Sequence, residues 1–164
     1  MPLVKMKLSD ALRKFMDAES SSFKAFPQDE PDAIELLADA VDQFASGVMP
    51  SSKTASAAKA AMMAAMTGLG EADQAISKIQ DGFTQYATIL AAGMIGSPAG
   101  PGVVVTAVAP SGKVAIDSVG EIGLNGGTSQ DVADAIASIA DTWFKTGQTT
   151  IIVGSATSAG PTWM

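Results

Sequence analysis

Cysteine and histidine are both missing from this 164-residue chain. Their absence excludes disulfides, thiolate nucleophiles, the usual zinc sites and proton transfer by imidazole. Aromatic residues are scarce, 5% of the chain with one tyrosine and two tryptophans, and alanine dominates the 47% apolar share. Alanine-rich helices pack closely but bury little area each. At about 25 cal/mol per Å² of buried apolar surface, such a monomer has a thin stability margin, so the composition points to a homo-oligomer. Basic residues are also few: 10 Lys and Arg stand against 17 Asp and Glu, a net charge of −7. Phosphate contacts need clustered cations, so no nucleic-acid partner is expected. The nearest basic cluster, Lys5, Lys7, Arg13 and Lys14, is interleaved with Asp10 and Asp17 and reads as the solvated face of a helix. The opening MPLVKMKLSDALRKFMD lacks the apolar core of a signal peptide, and its acids disfavour a transit peptide. A protein made and assembled in the cytoplasm is the expectation.

What is present organises as helices first. The length suits one domain with a real core. Ser9 is a candidate N-cap for a first helix with Leu12, Phe15 and Met16 on one face; the polar run Ser20 to Ser22 weakens its end and Phe26-Pro27 closes it. Pro31, Asp32 and Glu35 open a second helix, whose Ile34, Leu37, Val41, Phe44 and Val48 recur at steps of three and four. Gly47 and Pro50 end it. A slim third helix rich in Ala and Met follows, capped by Ser51 or Ser52 and stopped at Gly68 and Gly70. The fourth starts near Glu71 and carries Ile76, Ile79, Phe83, Tyr86, Leu90 and Met94 on one seam. Short connections between such helices suggest an antiparallel bundle.

After Met94 the character changes. In GSPAGPG, Pro98 and Pro101 prevent a helix from continuing. Val103 to Val108 is β-branched and strand-like, APSG makes a turn, and Lys113 to Ile122 alternates well enough to be the partner strand. A fifth helix, capped by Thr128 or Ser129, turns Val132, Ile136, Ile139, Ala140 and Trp143 inward. One short strand, Thr149 to Val153, precedes a Gly/Ser/Pro terminus. The fold class is therefore mainly α: a bundle of four to five helices, a small β-hairpin or extended arm around 102–122, and a short C-terminal strand. As a single domain over 1–164, it has a helical body at 8–96 and 128–146, a β arm at 97–127 and an extended tail at 147–164.

The motifs that imply chemistry fail on spacing. A phosphate loop ending at Gly112-Lys113 would need its first glycine at Ala107 and a hydroxyl residue at Val114. Gly120, Gly123 and Gly126 are spaced G-x-x-G-x-x-G, which is not a dinucleotide fingerprint. The segment Gly82 to Gly112 is uncharged and longer than the ~20 residues of a membrane span, but GSPAGPG breaks it at the centre, so no membrane partner is expected. Ser56 and Lys59 have the S-x-x-K spacing of serine-lysine acyl enzymes without the companion motifs, in an alanine-rich helix. The pairs Asp29/Glu30 and Asp39/Asp42 lack a calcium-loop pattern and read as helix surface. Met62, Met63 and Met66 read as core filling for at least two of the three. Trp163, in a polar tail, is either disordered or an anchor in a neighbouring subunit. No catalytic, cofactor or metal residue emerges.

The run AAGMIGSPAGPGVVVTAV, the helix VADAIASIADTWFKTG, the short hydrophobic strand and the ending GPTWM, from about Leu90 to Met164, resemble small virion structural proteins of tailed bacteriophages. The resemblance implies a non-enzymatic subunit of the neck (head-tail connector) or of the tail or baseplate, located in the virion and partnered by other virion proteins. The expected assembly contacts are Val103, Val104, Val105, Val108, Ile151, Ile152 and Trp163, on an arm and a tail that reach neighbours. Deleting Gly160 to Met164 is then expected to impair assembly and leave helicity intact. The alternatives are a small helical bacterial secreted or surface binding module and, third, an enzyme working with carboxylates alone.

Overall fold

A computed structural model describes residues 3–16 and 29–164. Within them lie six helices, α1 (Lys5–Met16), α2 (Glu30–Ala45), α3 (Ala55–Met66), α4 (Ala72–Met94), α5 (Val119–Leu124) and α6 (Ser129–Phe144). Four strands, β1 (Pro98–Ala99), β2 (Gly102–Val108), β3 (Gln148–Val153) and β4 (Ala156–Ala159), form one antiparallel sheet in the order β1-β2-β3-β4. The chain is mainly α, as its periodicity predicts. The side chain of Phe15, the run Ser20 to Ser22 and the stop at Phe26-Pro27 lie outside the described residues.

Neighbouring helices follow one another around the body in the order α6, α1, α2, α3, α4. Aromatic side chains close the circuit: Phe83 of α4 meets Trp143 and Phe144 of α6 at centroid separations of 6.3 and 6.2 Å. Local chemistry starts two of these helices cleanly. Asp29 caps α2 by accepting from the Asp32 N–H at 2.9 Å, with Pro31 in the first turn. Thr128 and Asp131 form a reciprocal capping box on α6. That bonding, from the Thr128 backbone first and its hydroxyl second, holds the Asp131 carboxyl below its usual range.

Ser9 does not cap α1; it lies inside the helix, buried, and donates its hydroxyl to Asp134 of α6. Ser51 and Ser52 precede α3 without capping it, and Thr54 stands at the N-cap with no side-chain cap bond. On α6 the stripe is rotated: Ala133, Ala137, Ala140, Trp143 and Phe144 are buried, while Val132, Ile136 and Ile139 are half-buried at the rim. The cause is helix spacing. Alanines let α1 approach α6 closely, with Leu8 and Leu12 fully buried on α1. The cations Lys5, Lys7, Arg13 and Lys14 then stay exposed. Met62 and Met66 fill the core and Met63 is half-buried.

The largest correction concerns β2. Its partner is β3, with Val104 opposite Ile151, and not the segment Lys113 to Ile122. In that segment Val114 and Ile116 are buried and Ala115 and Asp117 exposed, so the alternation is real. It is satisfied by packing on helices: Gln80 of α4 donates to the Val114 carbonyl at 3.0 Å and to Asp117 at 2.9 Å. The chain then turns into α5 at Val119. Period-two burial specifies which side is covered, not by what.

Tyr86, the only tyrosine, is fully buried and donates to Asp42 Oδ1 at 2.7 Å. Asp42 is therefore a partner of the core, not simply helix surface. Burial, and then the bond to Asp42, pushes the phenol well above its ordinary value of 10.0. A raised pKa in the folded state means that the stability it contributes is complete below the unfolded value and lost as pH climbs beyond it. Tyrosinate absorbance should accordingly stay absent as pH passes through about 10 and emerge only together with loss of the helical circular dichroism. A separate tyrosinate step in the folded protein would contradict the buried bond.

Candidate assembly interface

The residues expected to contact neighbours all fall on the sheet or on the segment after it, and the sheet has two distinct sides. Toward the helices, Ala99, Val104, Thr149 and Ile151 are buried. Away from them, Val103 and Val108 are 43% and 61% exposed, Thr106 is exposed, and Thr150 and Ile152 are half-buried. A register shift between Val104 and Thr106 leaves Val105 without a directly opposed residue, half-buried. Of the seven expected contact residues, Val103, Val105, Val108 and Ile152 are therefore available to a partner. Val104, Ile151 and Trp163 are not, because they line the chain's own core.

Trp163 is the sharpest departure. It is neither disordered nor reaching outward but 0% exposed, with its ring stacked on Phe144 at 6.2 Å. Its backbone N–H donates to the Gly147 carbonyl at 3.1 Å. The next residue is pinned as well: Met164 and Met49 exchange two backbone hydrogen bonds of 2.9 and 3.2 Å. Thr149 adds a bond from its hydroxyl to the Pro161 carbonyl at 2.7 Å. The expected extended tail is folded back onto the body. Gly147 makes this possible, since a Cβ at that position would stand 2.4 Å from the indole ring. Gly147→Ala should cost about 1–3 kcal/mol by overpacking, and most of that cost should vanish when Trp163 is already alanine, as a double-mutant cycle by urea unfolding would read.

Two strands, β1 and β4, have no counterpart among the strands that the sequence predicts. β4 follows β3 through the two-residue loop Gly154-Ser155, and all four of its residues are exposed. Gly154 has φ +64° and Ser155 is not left-handed, which matches a hairpin turn with glycine at its first central position. The signal was available as a Gly-X pair directly after a β-branched run. Neither β2, β3 nor β4 contains a charged residue, and none stands anywhere from Thr146 to Met164.

No family model, curated protein or solved structure matches the chain. Among the described residues no three acidic side chains converge as metal ligands would. No described helix is long and apolar enough to cross a membrane. Of the S-x-x-K pair, Ser56 is exposed and Lys59 is ion-paired with Asp39. Its hydrogen bond to Asp39 raises the Lys59 pKa, whereas a lysine acting as base needs it lowered. Two clefts among the described residues are open to solvent. One of about 490 Å³ between α1 and α2 is lined by Lys7, Lys14, Asp10 and Asp39, a mixture of signs that favours no single charge of ligand. The other, about 450 Å³, is floored by Ile139 and Trp143 with Lys113 at its rim. What the neutral sheet can do is offer β-branched side chains and unpaired backbone groups to another protein surface.

Proposed function

We propose that this chain is a non-enzymatic structural subunit of a tailed-phage virion, in the neck or in the tail or baseplate, that joins its neighbours through the outer face and free edge of its sheet. One observation carries the reading: in a chain of net charge −7, the sheet is free of charge and exposes Val103 and Val108 on its outer face. Interfaces deplete charge at their centres, because a desolvated unpaired ion costs more than the contact returns. The resemblance of the Leu90 to Met164 region to small virion proteins covers the same elements. The segment expected to act as an arm is here a strand paired within the chain, so what remains for neighbours is its outward side.

Proteolysis and mass spectrometry of purified particles from the phage that encodes the chain test the reading. Peptides of this chain should be recovered at a stoichiometry comparable to other minor virion proteins. Their absence from particles, with the protein found instead in a bacterial surface or secreted fraction, would replace this reading with that of a binding module.

A further inference from the structure

The two edges of the sheet are treated differently by the sequence. The β1 edge is two residues long and begins with Pro98, which has no N–H to offer, and it is followed by Gly100-Pro101. Short strands and proline are the devices by which monomeric proteins blunt an edge. The β4 edge has none of them. It carries no proline, no lysine or other charge and no register shift against β3, and it is exposed along its whole length.

The backbone pattern of β4 can be followed residue by residue. Gly160 donates its N–H to the Thr149 carbonyl at 2.9 Å, so at that position the chain faces β3. Backbone groups alternate along an antiparallel strand. Ser158 and Ala156 therefore also turn toward β3, and Thr157 and Ala159 turn their N–H and C=O groups outward.

We infer that the edge strand β4 is a pairing site for β4 of a second copy, antiparallel about a twofold axis centred on Ser158. This deepens the assembly reading above and rests on it. In that register Thr157 lies opposite Ala159 of the other copy and Ala159 opposite Thr157. All outward groups of both strands are then used in four N–H···O bonds, and the two Ser158 residues face each other as a non-hydrogen-bonded pair. Shifting the register by two residues halves the number of bonds. Two considerations select a second copy as the occupant. An edge with this donor and acceptor spacing is self-complementary under a twofold operation, as an isologous contact requires. Two chains of net charge −7 also repel, and the uncharged stretch from Thr146 onward lets them approach with the least like-charge cost. Pairing β4 with the opposite edge of a neighbour, which would give a ring or filament, meets the blunted β1 instead.

Light scattering and crosslinking on the full chain test the pairing. The wild type should have twice the monomer mass. Because the chain has no cysteine, Ser158→Cys should give a disulfide-linked dimer on mild oxidation, since a non-hydrogen-bonded pair brings the Cβ atoms within disulfide reach. Ala156→Cys, out of register, should crosslink at least tenfold more slowly. Thr157→Pro removes an outward N–H without touching the β3 ladder and should give a monomer with unchanged circular dichroism and Tm. A wild type that oligomerises, with Thr157→Pro still oligomeric and Ser158→Cys uncrosslinked, would overturn the β4 pairing and leave the assembly reading standing. A monomeric wild type overturns the pairing too, and recovery of the chain from particles then decides the assembly reading separately.

Discussion

Replacing Trp163 by alanine lowers the unfolding free energy by about 3–5 kcal/mol, which for a domain of this size is a fall of roughly 6–20 °C in Tm. The size follows from where the indole sits. It is 0% exposed, stacked on Phe144, and packed against the backbone at Gly147, where there is no Cβ to fill the space it would leave. Its Nε1 has no hydrogen-bond partner among the described residues, so the loss is one of packing and apolar burial. Trp163→Phe should therefore recover much of the stability, although it removes the indole nitrogen. If Trp163→Ala moved the urea midpoint by less than a tenth, the docking of the 160–164 segment would be wrong. Deleting Gly160 to Met164 removes the same side chain, so that truncation lowers stability before it can report on assembly. Thr157→Pro is the cleaner probe of contact.

Phe144→Ala is expected to cost about as much, 3–5 kcal/mol, by a different route. Phe144 meets Phe44, Phe83, Tyr86, Trp143 and Trp163 at centroid distances from 5.1 to 6.2 Å, most of them edge-on. Each well-placed ring pair adds about 0.5–1.5 kcal/mol beyond burial. One truncation thus weakens α2, α4, α6 and the Trp163 segment together. Urea unfolding should show a lower midpoint, and tryptophan fluorescence should shift, because both tryptophans lose a ring neighbour. Phe144→Leu keeps most of the volume and should cost markedly less. A Phe144→Ala protein as stable as wild type would mean that these rings do not share one core.

Which parts could be read from the sequence follows from whether the information is local. The α2 seam of Ile34, Leu37, Val41 and Phe44 is buried as its spacing predicts, and on the α4 seam Phe83, Tyr86, Leu90 and Met94 are buried while Ile76 and Ile79 are half-buried. Caps such as Thr128 are local as well. On α6 the same logic picked Val132 and Ile136 for the interior because they are large, and the structure buries Ala133 and Ala137 instead. Side-chain size does not reveal how near the neighbouring helix comes. The existence of β2 was legible from its β-branched run, but its partner lies beyond two intervening helices, and no spacing rule reaches that far. For the candidate interface the same division holds. Val103 and Val108 are exposed on the sheet, while the burial of Trp163 depends on a hairpin that turns the chain back, not on the polar residues beside it.

The distance in sequence between β2 and β3 has a kinetic consequence. Val104 pairs with Ile151 across the intervening α5 and α6. Loop closure of that length is slow relative to forming the α3–α4 helical hairpin, so the sheet is a late event in folding. Until it forms, GVVVTAV is an uncharged β-branched segment without a partner. Chains crowded together during synthesis can pair those segments with one another instead of with β3. The yield of soluble protein is then set by a race between α6 docking and intermolecular association, and lower temperature or slower expression favours the first.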